Sequence, residues 1–289
     1  MSDLVADPVQ ALVDVLKLEQ IDDDLFRGGS TDNGRGRSFG GQVAAQSLMA
    51  ALGTVGEEYF VHSMHSYFLL PGDPTRPIVY DVDRIRDGRS FLTRRVSARQ
   101  HGRPIFYMTA NFHRHEDGYE HQDRMPEVAG PEQGLDLRSL LTGRDDHEGK
   151  ALAEEWAVVD ARAIGNSQHG MPADPDHPAR QRVWLKIDGR LPDDPSVHLG
   201  AFTWMSDITL LGATLAAHTL DHAGIQMASL DHTIWFHRPF RADEWWLYDQ
   251  ISPSAQGGRG LAIGRVFSAD GALVATVAQE GLIRPPRER

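Results

Sequence analysis

The sequence predicts an α+β chain built twice from one unit, each unit an antiparallel sheet wrapped around a central helix. Three observations carry this. The stretch Met227-Ala-Ser-Leu-Asp-His-Thr-Ile-Trp-Phe-His-Arg-Pro-Phe240 reads as one long strand that ends at Pro239, since proline has no N–H to give a ladder. Met64-His-Ser-Tyr-Phe-Leu-Leu-Pro71 is a near copy: Phe68 matches Phe236 and Pro71 matches Pro239, both pairs 168 positions apart. The order of elements around the two stretches also recurs.

Residues 8–19 place Val9, Leu12, Val13 and Leu16 at helical spacing. A short strand over 24–27 and a glycine-rich loop over 28–41 follow. A first helix, over 42–52, is small and apolar almost all round, as suits a helix held inside something rather than on a surface. Four strands come next, over 60–70, 77–86, 91–100 and 105–113. The turns Pro71-Gly72-Asp73-Pro74, Asp87-Gly88 and His101-Gly102 offer the positive φ that tight hairpins need, so the four strands form an antiparallel meander. From 114 to 155 the pattern dissolves into Pro, Gly, Asp, Glu and His, which reads as a linker with one short helix near 137–141.

The order then returns. Strands are expected over 157–163 and 180–187, a short helix over 199–205, a second small apolar helix over 207–220, and strands over 228–237, 245–252, 260–267 and 273–283. Gly102 and Gly271 are counterparts 169 positions apart, a slip of one residue from the first offset. The chain thus divides into a first unit over 1–115, a linker over 116–154 and a second unit over 155–289. Two such units side by side would continue one sheet and blunt an edge of each. Two unrelated α+β domains are the plainer alternative, and the repeated order speaks against it.

Composition narrows the function. The chain has 289 residues, enough for a sizeable core, and no cysteine, which excludes a disulfide scaffold, a thiol nucleophile and thiolate metal sites. It fits a reducing compartment, and a cytoplasmic location is the expectation. The net charge of −12 disfavours a nucleic-acid partner, because neutralising phosphates needs a basic face. Almost all positive charge is arginine, the lysines being Lys17, Lys150 and Lys186. No run approaches the roughly 20 apolar residues of a membrane span. The first residues, Met1-Ser-Asp-Leu-Val, put an acid where a signal peptide wants a base, and Pro286-Arg-Glu-Arg289 carries no retention or peroxisomal tripeptide.

Several motifs, in one order, resemble a known family. They are Gly40-Gly-Gln-Val43, His62-Ser-Met-His-Ser-Tyr-Phe-Leu-Leu-Pro-Gly-Asp73, Pro104-Ile-Phe-Tyr-Met-Thr-Ala110, Ser229-Leu-Asp-His-Thr-Ile-Trp-Phe-His-Arg-Pro-Phe240 and Gln279-Glu-Gly281. They look like the type II acyl-CoA thioesterases, the double-hotdog enzymes, and the resemblance runs from about Leu12 to Ile283. It implies a double hotdog and hydrolysis of medium- to long-chain acyl-CoA to fatty acid and coenzyme A, with no cofactor. It also implies assembly as a homo-oligomer. Three residues that hold a water for attack in the family fall on Asp207, Ser229 and Gln279. Serine stands where some members have threonine, which keeps the hydroxyl.

The residue chemistry is compatible with that carry-over. A carboxylate at the start of the second helix would face the positive end of the macrodipole and stay ionised, able to take a proton from water. Ser229 and Gln279 would direct the water, and the amides opening the first helix at Gly40-Gly41-Gln42 are candidates to hold an oxyanion. Read without the family, Asp207 is an N-cap beside Ser206, and Ser229 and Gln279 are ordinary polar strand residues. His62 and His65, His113 and His115, and Asp231 and His232 suggest a metal or a relay only weakly, with no third ligand at clear spacing. No Gly-x-Ser-x-Gly elbow occurs, and Gly34-Arg-Gly-Arg-Ser-Phe-Gly-Gly41 lacks the Gly-Lys-Ser/Thr ending of a phosphate loop. Arg84, Arg86, Arg89, Arg94 and Arg95 gather around one hairpin, where they suit coenzyme A phosphates about as well as a solvated face. Alternatives are a non-catalytic acyl-CoA-binding sensor and a double-hotdog enoyl-CoA hydratase.

Overall fold

The computed structural model describes residues 7–31, 34, 36–218 and 225–285. The first unit runs α1 (Pro8–Leu16), β1 (Glu19–Asp22), β2 (Leu25–Gly28), α2 (Gly40–Leu52), β3 (Tyr59–Phe68), β4 (Ile78–Asp87), β5 (Phe91–Gln100) and β6 (Arg103–Arg114). Then come β7 (Leu135–Asp136), α3 (Leu137–Thr142), α4 (His147–Glu155), β8 (Val159–Asn166), β9 (Arg180–Ile187), α5 (Pro195–Thr209) and a 3-10 segment, Leu210–Leu215. The chain closes with β10 (Gln226–Ser229), β11 (Asp231–Phe236), β12 (Trp246–Gln256), β13 (Arg259–Ser268) and β14 (Leu273–Arg284).

The strands form one antiparallel sheet in the order β1-β2-β4-β5-β6-β3-β11-β14-β13-β12-β9-β8-β7, with β10 beside β14. Outward from the middle, β3-β6-β5-β4-β2-β1 is mirrored by β11-β14-β13-β12-β9-β8, so the sequence repeat is a repeat of topology. The halves join where β3 pairs with β11. His65 faces Thr233, while Met64↔Ile234 and Ser66↔His232 flank that pair. Because 65 and 233 are themselves 168 apart, they mark the local two-fold axis of the double hotdog. Joining the two repeats there leaves no open edge at the centre.

The helix faces follow from composition. Ala44, Ala45, Leu48, Ala50 and Ala51 of α2 are fully buried, as are Ala201, Phe202 and Met205 of α5. Small side chains let the two helices meet. A Cβ on Gly41 would lie 2.4 Å from the Trp204 carbonyl oxygen, which is backbone and cannot swing away. Gly41→Ala is therefore expected to cost about 1–3 kcal/mol by forcing α2 and α5 apart; unfolding in urea measures it, and a variant as stable as the parent would contradict this packing.

Three local expectations are corrected. The second central helix is Pro195–Thr209, not 207–220, and Thr219 and Leu220 lie outside the described residues. Its start is set by the Asp194 carboxylate, which accepts from the Ser196 N–H at 2.9 Å, and by Pro195 in the first turn. The apolar run continues through the 3-10 segment, so hydrophobic spacing did not mark the end of the helix. The stretch expected as one strand breaks at Leu230, between β10 and β11; the first unit has an irregularity at the same place, between Val61 and Ser63. Of the turn glycines, Gly102 and Gly271 adopt positive φ, at 72° and 91°, with His101 at 49°; Gly72 and Gly88 do not.

The stretch read as a linker is also built into the fold. Its helix near 137–141 is α3, but α4 and the edge strand β7, which pairs with β8, carry no sequence signal. Upstream, Met125 and Val128 pack on Trp184, Leu247 and Phe267, and the Trp184 Nε1–H donates to the Ala129 carbonyl at 2.9 Å. This segment covers the outer face of the second unit's sheet.

Candidate active site

Asp207, Ser229 and Gln279 come from α5, the end of β10 and the middle of β14, and they meet. The Gln279 Nε2 donates to Asp207 Oδ1 at 2.6 Å and to Ser229 Oγ at 2.6 Å. Ser229 Oγ in turn donates to Asp207 Oδ1 over a longer 3.4 Å. An ionised carboxylate only accepts, so the Gln279 amide must turn its nitrogen toward Asp207. Gln279 is fully buried, Asp207 and Ser229 partly so.

The break at Leu230 positions Ser229. The Leu230 N–H bonds to the Glu280 carbonyl at 2.9 Å, and its own carbonyl accepts from the Phe68 N–H, also at 2.9 Å. The Asp231 carboxylate accepts from the Glu280 N–H at 2.6 Å. Irregularities of this kind re-aim side chains beside functional sites. In the first unit the register Val61↔Phe112 corresponds to Ser229↔Gly281 in the second, and Ala110 occupies the place of Gln279. An apolar pair, Val61 and Ala110, stands where the polar pair does, so among the described residues the first unit does not repeat the trio.

The electrostatics differ from the expectation for Asp207. It lies in the last turn of α5, at the negative end of that helix, not at a helix start. The positive end facing it belongs to α2 of the other unit: the Gly41 N–H bonds to its carboxyl, and a Cβ on Gly40 would lie 2.8 Å from Oδ2. Burial is the largest influence and pushes the carboxyl up to about 6; the nearby Glu155 charge adds to it, while the Gln279, Gly41 and Ser229 hydrogen bonds pull the other way. Such a group is ionised at neutral pH yet basic enough to take a proton. The Gly41 amide, a candidate oxyanion donor, thus already serves Asp207.

A cavity of about 400 Å3 holds Asp207, Ser229 and Gly40 in its wall, with Phe39, Phe68, Leu152, Glu155 and Trp156 around them. The covering residues of α4 and Trp156 come from a region without any motif, and their role was invisible in the sequence. Tyr248 was also missed, although its counterpart 168 positions earlier, Tyr80, is likewise buried. Tyr80 donates to Gln46 of α2 and Tyr248 donates to the Ser206 carbonyl of α5. The repeat alone would have singled them out as a pair.

The weaker candidates disperse. The His232 Nε2 lies 2.8 Å from Ser206 Oγ, and burial pushes its pKa down to about 4, so it stays neutral and forms no relay with Asp231. His62 bonds Asn111, and His113 pairs with Glu116 while stacking on Phe91. Among the described residues no group of three or more His, Asp or Glu side chains could hold a metal ion. Within the arginine cluster, Arg84 pairs with Asp24, Arg94 with Asp87 and Arg95 with Asp83. Among the described residues no helix is long and apolar enough to cross a membrane.

Comparison with known proteins points to one family. Residues 154–282 match the family model described as acyl-CoA thioesterase, and residues 29–113 match the acyl-CoA thioesterase N-terminal domain. The chain is 41% identical to acyl-CoA thioesterase 2 of Haemophilus influenzae, over 97% of this chain and 99% of that protein. It is 39% identical to human acyl-coenzyme A thioesterase 8, over 93% of this chain and 88% of that one. Among solved structures it is similar to an acyl-CoA thioesterase II of Mycobacterium marinum, with a TM-score of 0.83 and 42% identity, covering 95% of this chain and 98% of the other.

Proposed function

We infer, for a chain that belongs to the acyl-CoA thioesterase family and hydrolyses acyl-CoA thioesters, that Asp207 is the general base that activates the attacking water. Ser229 and Gln279 hold that water toward the thioester carbonyl. The water oxygen bonds to the carbonyl carbon as Asp207 takes its proton, and the positive end of α2 at Gly40 faces the developing oxyanion. Collapse breaks the C–S bond, releases the fatty acid and returns the proton to the coenzyme A thiolate. No acyl-enzyme forms.

The observation that carries this reading is the meeting of three polar side chains from two strands and a helix, with Asp207 and Ser229 in the wall of one cavity and Gln279 bonded to both from behind. Its test is the pH dependence of kcat/KM. A base held at about 6 gives an acid limb near pH 6, with the rate falling below it as Asp207 protonates. A limb near pH 4, the range of an ordinary carboxylate, would count against Asp207.

The finer reading extends to substrate and assembly. Medium- to long-chain acyl-CoA suits the apolar cavity walls. The units are 1–115 and 155–289, with 116–154 serving as cover for the second. Tyr67, Tyr107 and Trp235, exposed on the outer face around the β3–β11 junction, supply a surface for homo-oligomer assembly. A sedimentation mass equal to one chain would overturn that assembly. The cysteine-free composition favours the cytoplasm, which cell fractionation tests directly.

A further inference from the structure

The Asp207 cavity shares walls with two others. One, of about 400 Å3, lies under α1 and meets it at Phe39 and Glu155. Its remaining surface is mainly apolar, from Leu12, Val15, Ala157, Val158 and Trp204. The other, of about 640 Å3, meets it at Trp156, Ile208 and Gly212 and presents Asn166, His169, Gln181 and Thr209. In the second, the Gln181 amide donates to the Thr209 carbonyl and the Asn166 side chain accepts from the Gln168 and His169 N–H groups, while Leu135, Leu137, Ile164 and Val183 complete its wall. The chamber under α1 offers the tail an apolar bed.

We propose that Phe39 is a gate between the Asp207 cavity and the chamber under α1, and that it sets the longest acyl chain the enzyme handles efficiently. This rests on the reading of Asp207 as the reacting centre. Phe39 is the residue before the first turn of α2 and has extended backbone, so its side chain leaves the helix start sideways. Its ring stands edge-on to Trp204, with centroids 5.0 Å apart. The space a Gly41 Cβ would need is filled by two of its ring carbons, at 2.5 and 2.7 Å. The ring is therefore held from behind by α2 and from the side by α5. It lines both cavities, next to the Gly40 that faces Asp207. A chain with its carbonyl at Asp207 and its tail directed toward α1 meets this ring first.

The consequence is a break in the chain-length profile. Each methylene moved from water onto an apolar wall is worth about a fourfold gain in kcat/KM. In the parent, that rise with chain length stops where the tail reaches Phe39. In Phe39→Ala it continues for several further methylenes, and in Phe39→Leu for fewer.

The experiment measures kcat/KM along a series of saturated acyl-CoAs for the parent, Phe39→Ala, Phe39→Leu and Phe39→Ala combined with Val15→Phe. The readout is the chain length at which the rise stops, not the absolute rate. A later stop in Phe39→Ala that Val15→Phe moves back again supports the gate and places the tail under α1. A stop unchanged by Phe39→Ala, an equal loss on all substrates, or a gain that Val15→Phe does not cancel each overturns it. Asp207→Asn run alongside separates the two readings, because its retained activity would sink the base assignment whatever the chain-length profile shows.

Discussion

Asp207→Asn is expected to lower thiol release from acyl-CoA by at least about 1000-fold, and at the same time to make the protein more stable at neutral pH. The loss of rate follows from removing the carboxylate that Ser229 and Gln279 flank and that takes the proton from water. The gain in stability follows from the carboxyl being pushed from 3.8 to about 6 by burial. A carboxyl whose folded-state pKa is raised is penalised when ionised. It costs nothing below about pH 4, the cost grows as pH rises from 4 to 6, and above 6 it is constant. Two pKa units correspond to about 2–3 kcal/mol. Asparagine removes the charge, but one of its two positions becomes a donor and cannot accept from both Gln279 and Gly41, so about 1 kcal/mol is returned. A net gain of about 1–2 kcal/mol at pH 7.5, falling to zero between about pH 4 and 5 and becoming a loss of up to about 1 kcal/mol below, is expected from urea unfolding of the two proteins. Lost activity with lower stability at pH 7.5 would show that the carboxylate is held by its hydrogen bonds more than it is penalised by burial.

Gln279→Met is expected to reduce kcat about 100-fold and to move the acid limb of the pH profile above 6. The Gln279 amide makes the strongest of the hydrogen bonds that pull Asp207 down, and it is also the donor that fixes Ser229. Methionine has a similar length, fills the same buried space and donates nothing, so the carboxyl loses its main counterweight to burial. The fold should tolerate the change. The Gln279 Oε1 is buried without a hydrogen-bond partner, so replacing the amide also removes a desolvation cost that offsets the lost bonds. A fall in kcat with an unmoved acid limb would mean that Gln279 acts on the substrate alone and does not tune the base.

The site was legible only in part. Ser229 and Gln279 carry no local signature, being single polar residues on strands; the resemblance alone separated them from ordinary surface positions. Asp207 was picked out with the wrong reason attached. It closes a helix instead of opening one, and the helix start that steadies it belongs to the other repeat. No reading of the residues around position 207 contains that fact, because Gly41 lies 166 positions away. Most of α4, which covers the site, falls in the stretch expected as linker, since nine residues of mixed polarity show no clear face until something packs against them.

The sequence by itself determined the double architecture and the strands of each meander. Repeated apolar spacing and Gly or Pro at fixed offsets act over a few neighbouring residues, and such signals survive without knowledge of the fold. Only the tertiary structure decided where the second helix begins and ends, how β3 and β11 meet about a two-fold axis, which helix end faces Asp207 and how far burial raises its pKa. These depend on contacts between residues far apart in the chain and on the exclusion of water where they meet, and no local pattern encodes either.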